Sequence, residues 1–409
     1  MMRGACLIAL LALASGASAA TKQRYVISEF GAVGDGQKLN TTAIQAVINR
    51  CAWSGGGVVV VPKGTFLSGA LFFKQGCDLQ IEKEGVLKGS TNNEDYPTVF
   101  TRWEGIERDW TSAFLNFENM TNVELSGEGT IDGSGDQTAK MQGGPRRGRP
   151  RLICFTNCKR VRVASLNLKN QQVWCLHVLY SQDVLIEGLT IRAEHYIPSS
   201  DGIDIDSSRR VRIRKCDIDV NDDCISIKAG KDEDGLRIHR PSENILIENV
   251  RFAYGHGGAA MGSEVSGGIR NVTIRDCTAE AGQWAPVRFK SQPSRGGIVE
   301  NITYKNIKII DARMAFDFNL EWRMVPPIAP AAKVLTKVRN VKVINVSGKV
   351  ASGGTIHGLK DSPIEGLTFR NCVLEADKPL VVENVRKVDF SGLKITVKSG
   401  EPIVRTNAR

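Results

Sequence analysis

The chain has 409 residues, of which 42% are hydrophobic and 24% are charged. This balance is typical of a folded globular protein and excludes a disordered chain. Glycine is frequent, with 41 residues, whereas aromatic residues make up only 6%, which favours a turn-rich all-β chain over a helix bundle. The formal net charge of +10 suits an acidic partner, whether a polysaccharide, a nucleic acid or a membrane surface.

The first 20 residues predict a cleavable secretory signal. Residues 1–3 are a short basic start, residues 7–14 are apolar, and Ala17-Ser18-Ala19 has the form of a cleavage site. We expect cleavage after Ala19 or Ala20, so that residues 21–409 form one mature domain in a secreted or periplasmic protein. The apolar run is too short to span a bilayer, and no later run reaches about 18 apolar residues, so we expect no membrane partner.

Cysteines and basic residues add two further expectations. Ten cysteines less Cys6 of the signal leave nine, an odd number. Secretion permits disulfides, but Cys216 and Cys277 end strand-like runs and suit small buried core residues, and the sequence does not specify any pairing. The densest basic run, residues 146–151, has no interleaved aromatic side chains, so we discount nucleic acid as a partner.

A short amphipathic helix is predicted near the start of the mature chain. Asn40 or Thr41 can cap its first turn, and its apolar face has i, i+3, i+4, i+7 spacing in Ile44, Val47, Ile48 and Cys51. Such a helix would cover the N-terminal end of an elongated β fold, which otherwise exposes core and strand edges.

From residue 161 onward one strand phrase, apolar–x–apolar, recurs. Its starts are separated by 21 to 39 residues, and Gly, Asn, Asp and Ser fill the gaps. The phrase begins at Val161, Val184, Val211, Ile245, Val272, Ile302, Val341, Leu367 and Val388. This period is typical of a solenoid, and it is too short for propeller blades of about 40 residues. We therefore predict an all-β, single-stranded, right-handed parallel β-helix whose neighbouring coils are about 4.8 Å apart.

Within this repeat, Asp201 opens a segment in which isoleucine and aspartate alternate. Alternation over residues 203–206 indicates a strand with one buried and one wet face. Taken alone, Asp201 is better explained as a cap on the turn before that strand.

Asp222 and Asp223 follow Asp201 after 21 residues, about one coil later. Adjacent carboxylates repel each other, which favours the protonated form of one of them. Glycoside hydrolysis requires this combination, one carboxyl as acid and another as base or nucleophile. Ca²⁺, which takes six to eight oxygen ligands, explains the acidic residues equally well at this point.

A histidine and two cations follow at intervals of 34 residues. His256 lies between Gly255 and Gly257, on backbone that a ligand can approach closely. Histidine adds little to a calcium site but is a good partner for a carboxyl acid or a sugar hydroxyl. Arg288 and Lys290 alternate and so point to the same face of a strand, where they either balance the carboxylates or hold the carboxylate of a uronic acid.

Together, the four clusters resemble glycoside hydrolase family 28, the polygalacturonase-type pectin hydrolases. The signatures of that family are Asn-Thr-Asp, Gly-Asp-Asp, Gly-His-Gly and Arg-Ile-Lys, and this chain has their counterparts in the same order at residues 199–201, 221–223, 255–257 and 288–290. The likeness extends over residues 30–36, 55–65, 149–153 and 174–177, which is most of the mature chain. It implies a pectin-lyase-like solenoid. Ser199-Ser200, Asn221 and Phe289 depart from the signatures.

The resemblance implies a role for each residue of the first three clusters. Asp222 is the general acid that protonates the glycosidic oxygen, and Asp201 with Asp223 orients and deprotonates the attacking water, giving inversion. His256 supports the protonation of the acid or holds substrate. Coils about 4.8 Å apart place Asp201 closer to Asp222 than the usual inverting gap of about 6.5–9.5 Å, so inversion follows from the resemblance alone.

Substrate binding is implied for four further residues. Arg288 and Lys290 grip a galacturonate carboxylate next to the cut, and His177 and Glu264 are candidate substrate ligands. Residues 261–264 resemble exo-acting bacterial members, so exo-action is slightly favoured over endo-action. Residues 101–105 could close one end of the cleft.

Three functions follow from this sequence. The leading one is a monomeric hydrolase of α-1,4-galacturonan (pectin or its oligomers) that uses no metal or cofactor. The second is a calcium-dependent polysaccharide lyase on the same solenoid, and the third is a solenoid that binds polysaccharide without catalysis.

Overall fold

The computed structural model describes residues 22–141, 148–322 and 334–408. The predicted signal and part of the basic run at residues 146–151 lie outside the described residues. The helices are α1 (Thr41–Trp53), α2 (Gly135–Thr138) and α3 (Asp232–Ile238), with short 3-10 helices at Ile27–Phe30 and Asn93–Asp95. No helix among the described residues is long and apolar enough to cross a membrane.

The strands account for most of the described chain. In chain order they are β1 (Arg24–Val26), β2 (Asp35–Leu39), β3 (Gly57–Val61), β4 (Gly64–Ser68), β5 (Leu71–Phe72), β6 (Cys77–Ile81), β7 (Gly85–Gly89), β8 (Thr98–Trp103), β9 (Ile106–Thr111), β10 (Leu115–Glu118), β11 (Thr121–Gly127), β12 (Thr130–Asp132), β13 (Ile153–Thr156), β14 (Lys159–Ala164), β15 (Asn167–Lys169), β16 (Leu176–Leu179), β17 (Gln182–Glu187), β18 (Thr190–Arg192), β19 (Ile203–Asp206), β20 (Arg209–Arg214), β21 (Asp217–Asp219), β22 (Ile225–Lys228), β23 (Ser242–Glu248), β24 (Arg251–Met261), β25 (Ile269–Ala279), β26 (Gln283–Lys290), β27 (Ile298–Asn319), β28 (Lys337–His357), β29 (Ile364–Arg370), β30 (Cys372–Asp389), β31 (Leu393–Val397) and β32 (Ile403–Ala408).

Each coil contributes strands to three parallel sheets. Sheet 1 contains β10, β13, β16, β19 and β22, sheet 2 contains β11, β14, β17, β20 and β23, and sheet 3 contains β12, β15, β18 and β21. Later strands such as β24 and β27 run continuously from one sheet into another. The chain is therefore a parallel β-helix, which confirms the fold predicted from the repeat.

Along each strand, apolar and polar residues alternate, and the apolar ones fill the interior of the β-helix. In β19, Ile203 and Ile205 point into a continuous apolar core, whereas Asp204 and Asp206 point to the outer face of sheet 1. The nine cysteines of the described residues are all buried and free, so the core role predicted for Cys216 and Cys277 holds. The period-2 pattern thus determines which side chains reach the outer face.

Asparagines in left-handed conformation form many of the corners between strands. Asn271, Asn301 and Asn340 have φ of 57°, 57° and 56°, a region that asparagine tolerates better than most residues. Their amides stack from coil to coil: Asn301 Nδ2 donates to Asn271 Oδ1 at 3.1 Å, and Asn340 Nδ2 donates to Asn301 Oδ1 at 3.3 Å. These exposed amide ladders link each corner to the corner of the next coil and so help to keep the coils in register.

Helix α1 packs against the first coils, as predicted. Ile44, Val47, Ile48 and Cys51 are buried in the core. The predicted cap is wrong in detail, because the Asn40 side chain makes no capping hydrogen bond. Instead, Asn40 Oδ1 accepts from Val33 N at 2.8 Å and Asn40 Nδ2 donates to Lys38 O at 2.7 Å, which ties down the preceding loop.

A hairpin of β8 and β9 is the one antiparallel pair among the described strands. It crosses the outer face of sheet 1. Arg102 Nη1, only 1% exposed, donates to Asp206 Oδ1 at 2.8 Å. Trp103 stacks on Trp110 at 4.9 Å and packs on Trp174 at 4.8 Å between ring centroids. The hairpin therefore forms a wall at one end of the groove over sheet 1.

Candidate active site

The four sequence clusters lie side by side on consecutive coils. Gly202 N donates to Asp223 O at 3.0 Å, Cys224 N to Gly257 O at 2.7 Å, and Ala260 pairs with Arg288 in the parallel register. Backbone pairing therefore aligns residues that are 21 to 34 positions apart in sequence, as the repeat predicts.

These residues line a cleft of about 160 Å³ on the outer face of sheet 1. The side chains that line it are those of Glu104, Trp174, Ser199, Asp201, Asp222, Lys228, Lys231, His256, Ser263, Glu264, Arg288, Lys290 and Trp322. Six of the eight predicted site residues are in this set; Asp223 lies directly beneath it and His177 lies elsewhere.

The three carboxylates form a compact triad. Carboxylate oxygens of Asp201, Asp222 and Asp223 all lie within 4.8 Å of one another. Asp201 and Asp223 are buried, at 3% and 0% exposure, whereas the Asp222 side chain keeps 25% of its surface exposed. Asp222 is thus the member of the triad that a bound sugar chain reaches most easily.

Asp223 is held by two cations. Lys290 Nζ lies 2.5 Å from Asp223 Oδ2, and Arg288 Nη1 lies 3.1 Å from Asp223 Oδ1. Gly257 permits this packing, since a Cβ there would lie 2.6 Å from Asp223 Oδ1. The residue types of two sequence clusters are therefore explained together, because two ion pairs hold the buried Asp223 side chain in place.

Asp222 and Asp201 have opposite electrostatic environments. Burial by itself raises the pKa of Asp222, but His256, whose Nδ1 lies 3.3 Å from Asp222 Oδ1, and the nearby Lys290 outweigh it and hold that pKa below its usual range. For Asp201 the one opposing influence among the described residues is the charge of Lys228, which is too weak to offset burial. Burial, with the charges of Asp204 and Asp222, raises its pKa well above the ordinary value. In the substrate-free triad Asp201 therefore holds a proton more strongly than Asp222 does.

Four lining residues at the hairpin end carry a second set of charges, and none of the four belongs to the sequence clusters. Lys228 Nζ lies 3.2 Å from Glu264 Oε2 and 4.7 Å from the ring centre of Trp174. Lys231 and Glu104 face the same part of the cleft. Glu264 was predicted because residues 261–264 resemble the exo-acting bacterial members of the family. Lys228 was not predicted from the sequence, although its alternation with Ser226 on the outer face of β22 is a signal that could have identified it.

His177 lies below the cleft and does not line it, which corrects its prediction as a substrate ligand. It is 0% exposed, and its Nδ1 accepts from Arg151 Nη1 at 2.7 Å. Its Nε2 faces Asp206 Oδ2 at 3.6 Å. The hairpin and Trp174 cover this position, so His177 supports the floor on which the hairpin rests.

The triad is also the one carboxylate cluster among the described residues whose geometry could hold a metal ion. Its charge is already offset by the two cations Arg288 and Lys290. These groups leave less net negative charge than a calcium site requires. The three carboxyl groups are instead suited to acid–base catalysis on a bond that a ligand places over the triad.

Known proteins with related sequences share this architecture. The family model described as "Glycosyl hydrolases family 28" matches residues 51–392. The chain is 28% identical over 359 residues to a "Probable polygalacturonase" of Vitis vinifera, with 85% of this chain and 73% of that protein covered. It is 25% identical over 433 residues to an "Exo-poly-alpha-D-galacturonosidase" of Dickeya chrysanthemi, with 91% and 71% covered.

A solved structure agrees with these relatives. The hyperthermoactive exopolygalacturonase from Thermotoga maritima superposes with a TM-score of 0.81 at 28% identity, covering 90% of this chain and 93% of that one. The β-helix, the carboxylate triad and these related proteins together identify a glycoside hydrolase. Since the family match extends over most of its length, the chain belongs to glycosyl hydrolases family 28.

Proposed function

We propose that this enzyme hydrolyses α-1,4-galacturonosidic bonds of pectin or polygalacturonate from a chain end. The observation that carries the proposal is the cleft itself, in which a carboxylate triad adjoins Lys228, Lys231, Arg288 and Lys290 and one end is walled by the β8–β9 hairpin. Its volume of about 160 Å³ is well below the roughly 300–1,000 Å³ of sites for larger ligands and suits one sugar. The names of the relatives support the same substrate.

Asp222 acts as the general acid in this proposal. It is the exposed member of the triad, and coupled carboxylates titrate as a group rather than as single residues. The proton that is on Asp201 in the free enzyme belongs to this group, and an anionic substrate that neutralises Lys290 and His256 raises the proton affinity of Asp222. Proton donation to the glycosidic oxygen then contributes about 10²–10⁴ in rate.

Asp223 and Asp201 position the attacking water. Asp223 is held between Arg288 and Lys290, and Asp201 becomes a base once its proton has moved to Asp222. The triad is more compact, at 4.8 Å or less, than the roughly 6.5–9.5 Å of inverting pairs. Inversion, which we carry over from the family, therefore requires a water above the triad rather than between two of its members.

The test is hydrolysis of polygalacturonate with chelator present. We expect saturated products, monomer from the first time point, and a β-anomer by proton NMR at early times. Asp222→Asn lowers kcat by about 10²–10⁴, whereas the control Asp219→Asn, which only loses its ion pair with His195, keeps activity. Full activity of Asp222→Asn overturns the mechanism. Unsaturated products that chelator abolishes support the lyase, and binding without new reducing ends supports a binding solenoid.

Location and assembly complete the proposal. A substrate of this kind lies outside the cytoplasm, which agrees with the predicted signal in residues 1–20, and we propose a monomer because the cleft is built from one chain. N-terminal sequencing of the exported protein and its mass in solution test the two statements.

A further inference from the structure

Two oppositely charged side chains at the closed end of the cleft make no direct hydrogen bond or ion pair among the described residues, although each lies in the field of the other. The Glu104 carboxylate and the Lys231 ammonium both line the cleft, and neither side chain makes a hydrogen bond or ion pair within the described ranges. Lys228 and Glu264 beside them are paired with each other at 3.2 Å. Lys231 is only 2% exposed, so its charge is costly there unless a ligand completes it, whereas Glu104 is exposed to solvent beside it.

The position of Glu104 in the hairpin turn is uncommon for this residue type. Glu104 and Gly105 form the two-residue loop between β8 and β9, with φ of 45° and 81°. Turns with two positive φ values favour Asn, Asp or Gly at the first position. A glutamate there sacrifices turn stability and places a longer carboxylate over the cleft, which indicates a functional role.

Contacts on both sides of the turn fix Glu104 in place. Lys231 N donates to Gly105 O at 2.9 Å, and Glu107 N donates to Asp234 Oδ2 at 3.1 Å. The Glu107 side chain accepts from Tyr180 Oη at 2.8 Å. These contacts fix the backbone of the turn, so that Glu104 projects from a well-positioned hairpin tip and not from a flexible loop.

We propose that Glu104 is a specificity-determining residue that accepts a hydrogen bond from the free hydroxyl of a terminal uronic sugar, while Lys231 binds the carboxylate of that sugar. An internal sugar has a glycosidic oxygen at that position, which cannot donate to Glu104. The hairpin then excludes the rest of the chain, and only chain ends bind productively. This inference rests on the proposed hydrolysis of galacturonan and adds how a chain end is recognised.

Oligomers with one blocked end test this recognition. The substrates are trigalacturonate, the same trimer with a 4,5-unsaturated sugar at its non-reducing end, and the trimer with its reducing end reduced to an alditol. Glu104→Asn favours the turn and removes the long carboxylate, so the fold is retained. Asp109→Ala on the exposed face of the hairpin is the matched control.

The wild-type enzyme is expected to reject one of the two blocked trimers by at least about 10²-fold in kcat/KM, since losing a hydrogen bond to a charged group leaves it unpaired. For Glu104→Asn, kcat/KM on unmodified trigalacturonate is expected to fall by a similar factor, whereas kcat/KM on the blocked trimer that the wild type rejects changes by less than about threefold. Asp109→Ala is expected to behave as the wild type on all three substrates. If Glu104→Asn lowers kcat/KM equally on unmodified trigalacturonate and on the rejected trimer, or lowers it on neither, the proposed role of Glu104 is overturned. A wild-type enzyme that cleaves no galacturonan overturns the proposed function instead.

Discussion

At the scale of single residues, the floor of the cleft is a buried layer of charges. Asp204 is 0% exposed, and neither of its carboxylate oxygens has a hydrogen-bond partner among the described residues. The nearest cation is Lys228, whose Nζ lies 3.6 Å away and is also paired with Glu264. Burial raises the pKa of Asp204 to about 7, although Lys228 and His177 lower it in part. The folded protein therefore binds a proton here that the unfolded chain releases.

This shift predicts how stability depends on pH. The raised pKa means that stability is fully present below the unfolded value, 3.8, and is lost as pH rises through about 7. Asp204→Asn removes the cost of ionising the buried carboxyl, which is on the order of 4 kcal/mol above pH 7. The melting temperature of the variant, measured from pH 4 to pH 8, is expected to exceed that of the wild type by an amount that grows with pH. Parallel curves contradict this prediction.

At the scale of elements, the cleft depends on how closely the hairpin approaches the loop before α3. Gly105 is the contact point. A Cβ on Gly105 would lie 2.6 Å from the Cβ of Lys231 and 2.9 Å from the Cγ of Glu264, and its φ of 81° already favours glycine. The hairpin cannot move away easily, because Arg102 anchors strand β8 in an ion pair with Asp206. Glycine at this tip therefore allows the wall to close.

Gly105→Ala is expected to lift the hairpin tip from Lys231 and to open the closed end. The variant releases oligomers as well as monomer from polygalacturonate, and amides of residues 98–111 exchange hydrogen faster. Gly400→Ala is the matched control, because its φ of 80° imposes the same conformational cost with nothing within 4 Å of the added Cβ. The control loses some stability but keeps the wild-type product profile. A monomer-only profile from Gly105→Ala counts against the hairpin as the wall.

At the scale of the whole molecule, the sequence predicts the features that arise from the repeating coils, but not the hairpin or the protonation of the triad, which follow no repeat. Strand alternation and coil length were sufficient to bring Asp201, Asp222 and His256 together, because period-2 side chains and stacked coils leave little freedom. The hairpin was not predicted as a wall in detail, since the contact of Arg102 with Asp206 joins residues 104 positions apart that share no pattern. The position of the proton in the triad depends on burial and on neighbouring charges, which motifs do not encode.

Net charge acts over the same scale, and it gives the last prediction. The chain carries a formal charge of +10, and a polygalacturonate chain is a polyanion. The field of the protein attracts the polymer over distances longer than any single contact, and salt screens it: the Debye length falls from about 14 Å at 0.05 M to about 4 Å at 0.5 M. We expect kcat/KM on the polymer to fall by about tenfold over this range.

Digalacturonate is the control for this experiment, because it carries two charges and contacts only the cleft. Its kcat/KM is expected to fall by no more than about threefold, while the melting temperature shows that the fold withstands the salt. If polymer and dimer lose activity in parallel, the attraction comes from Arg288, Lys290 and their neighbours in the cleft alone. A steeper loss for the polymer assigns the difference to basic residues outside the cleft, where they raise the rate of encounter without taking part in the chemistry.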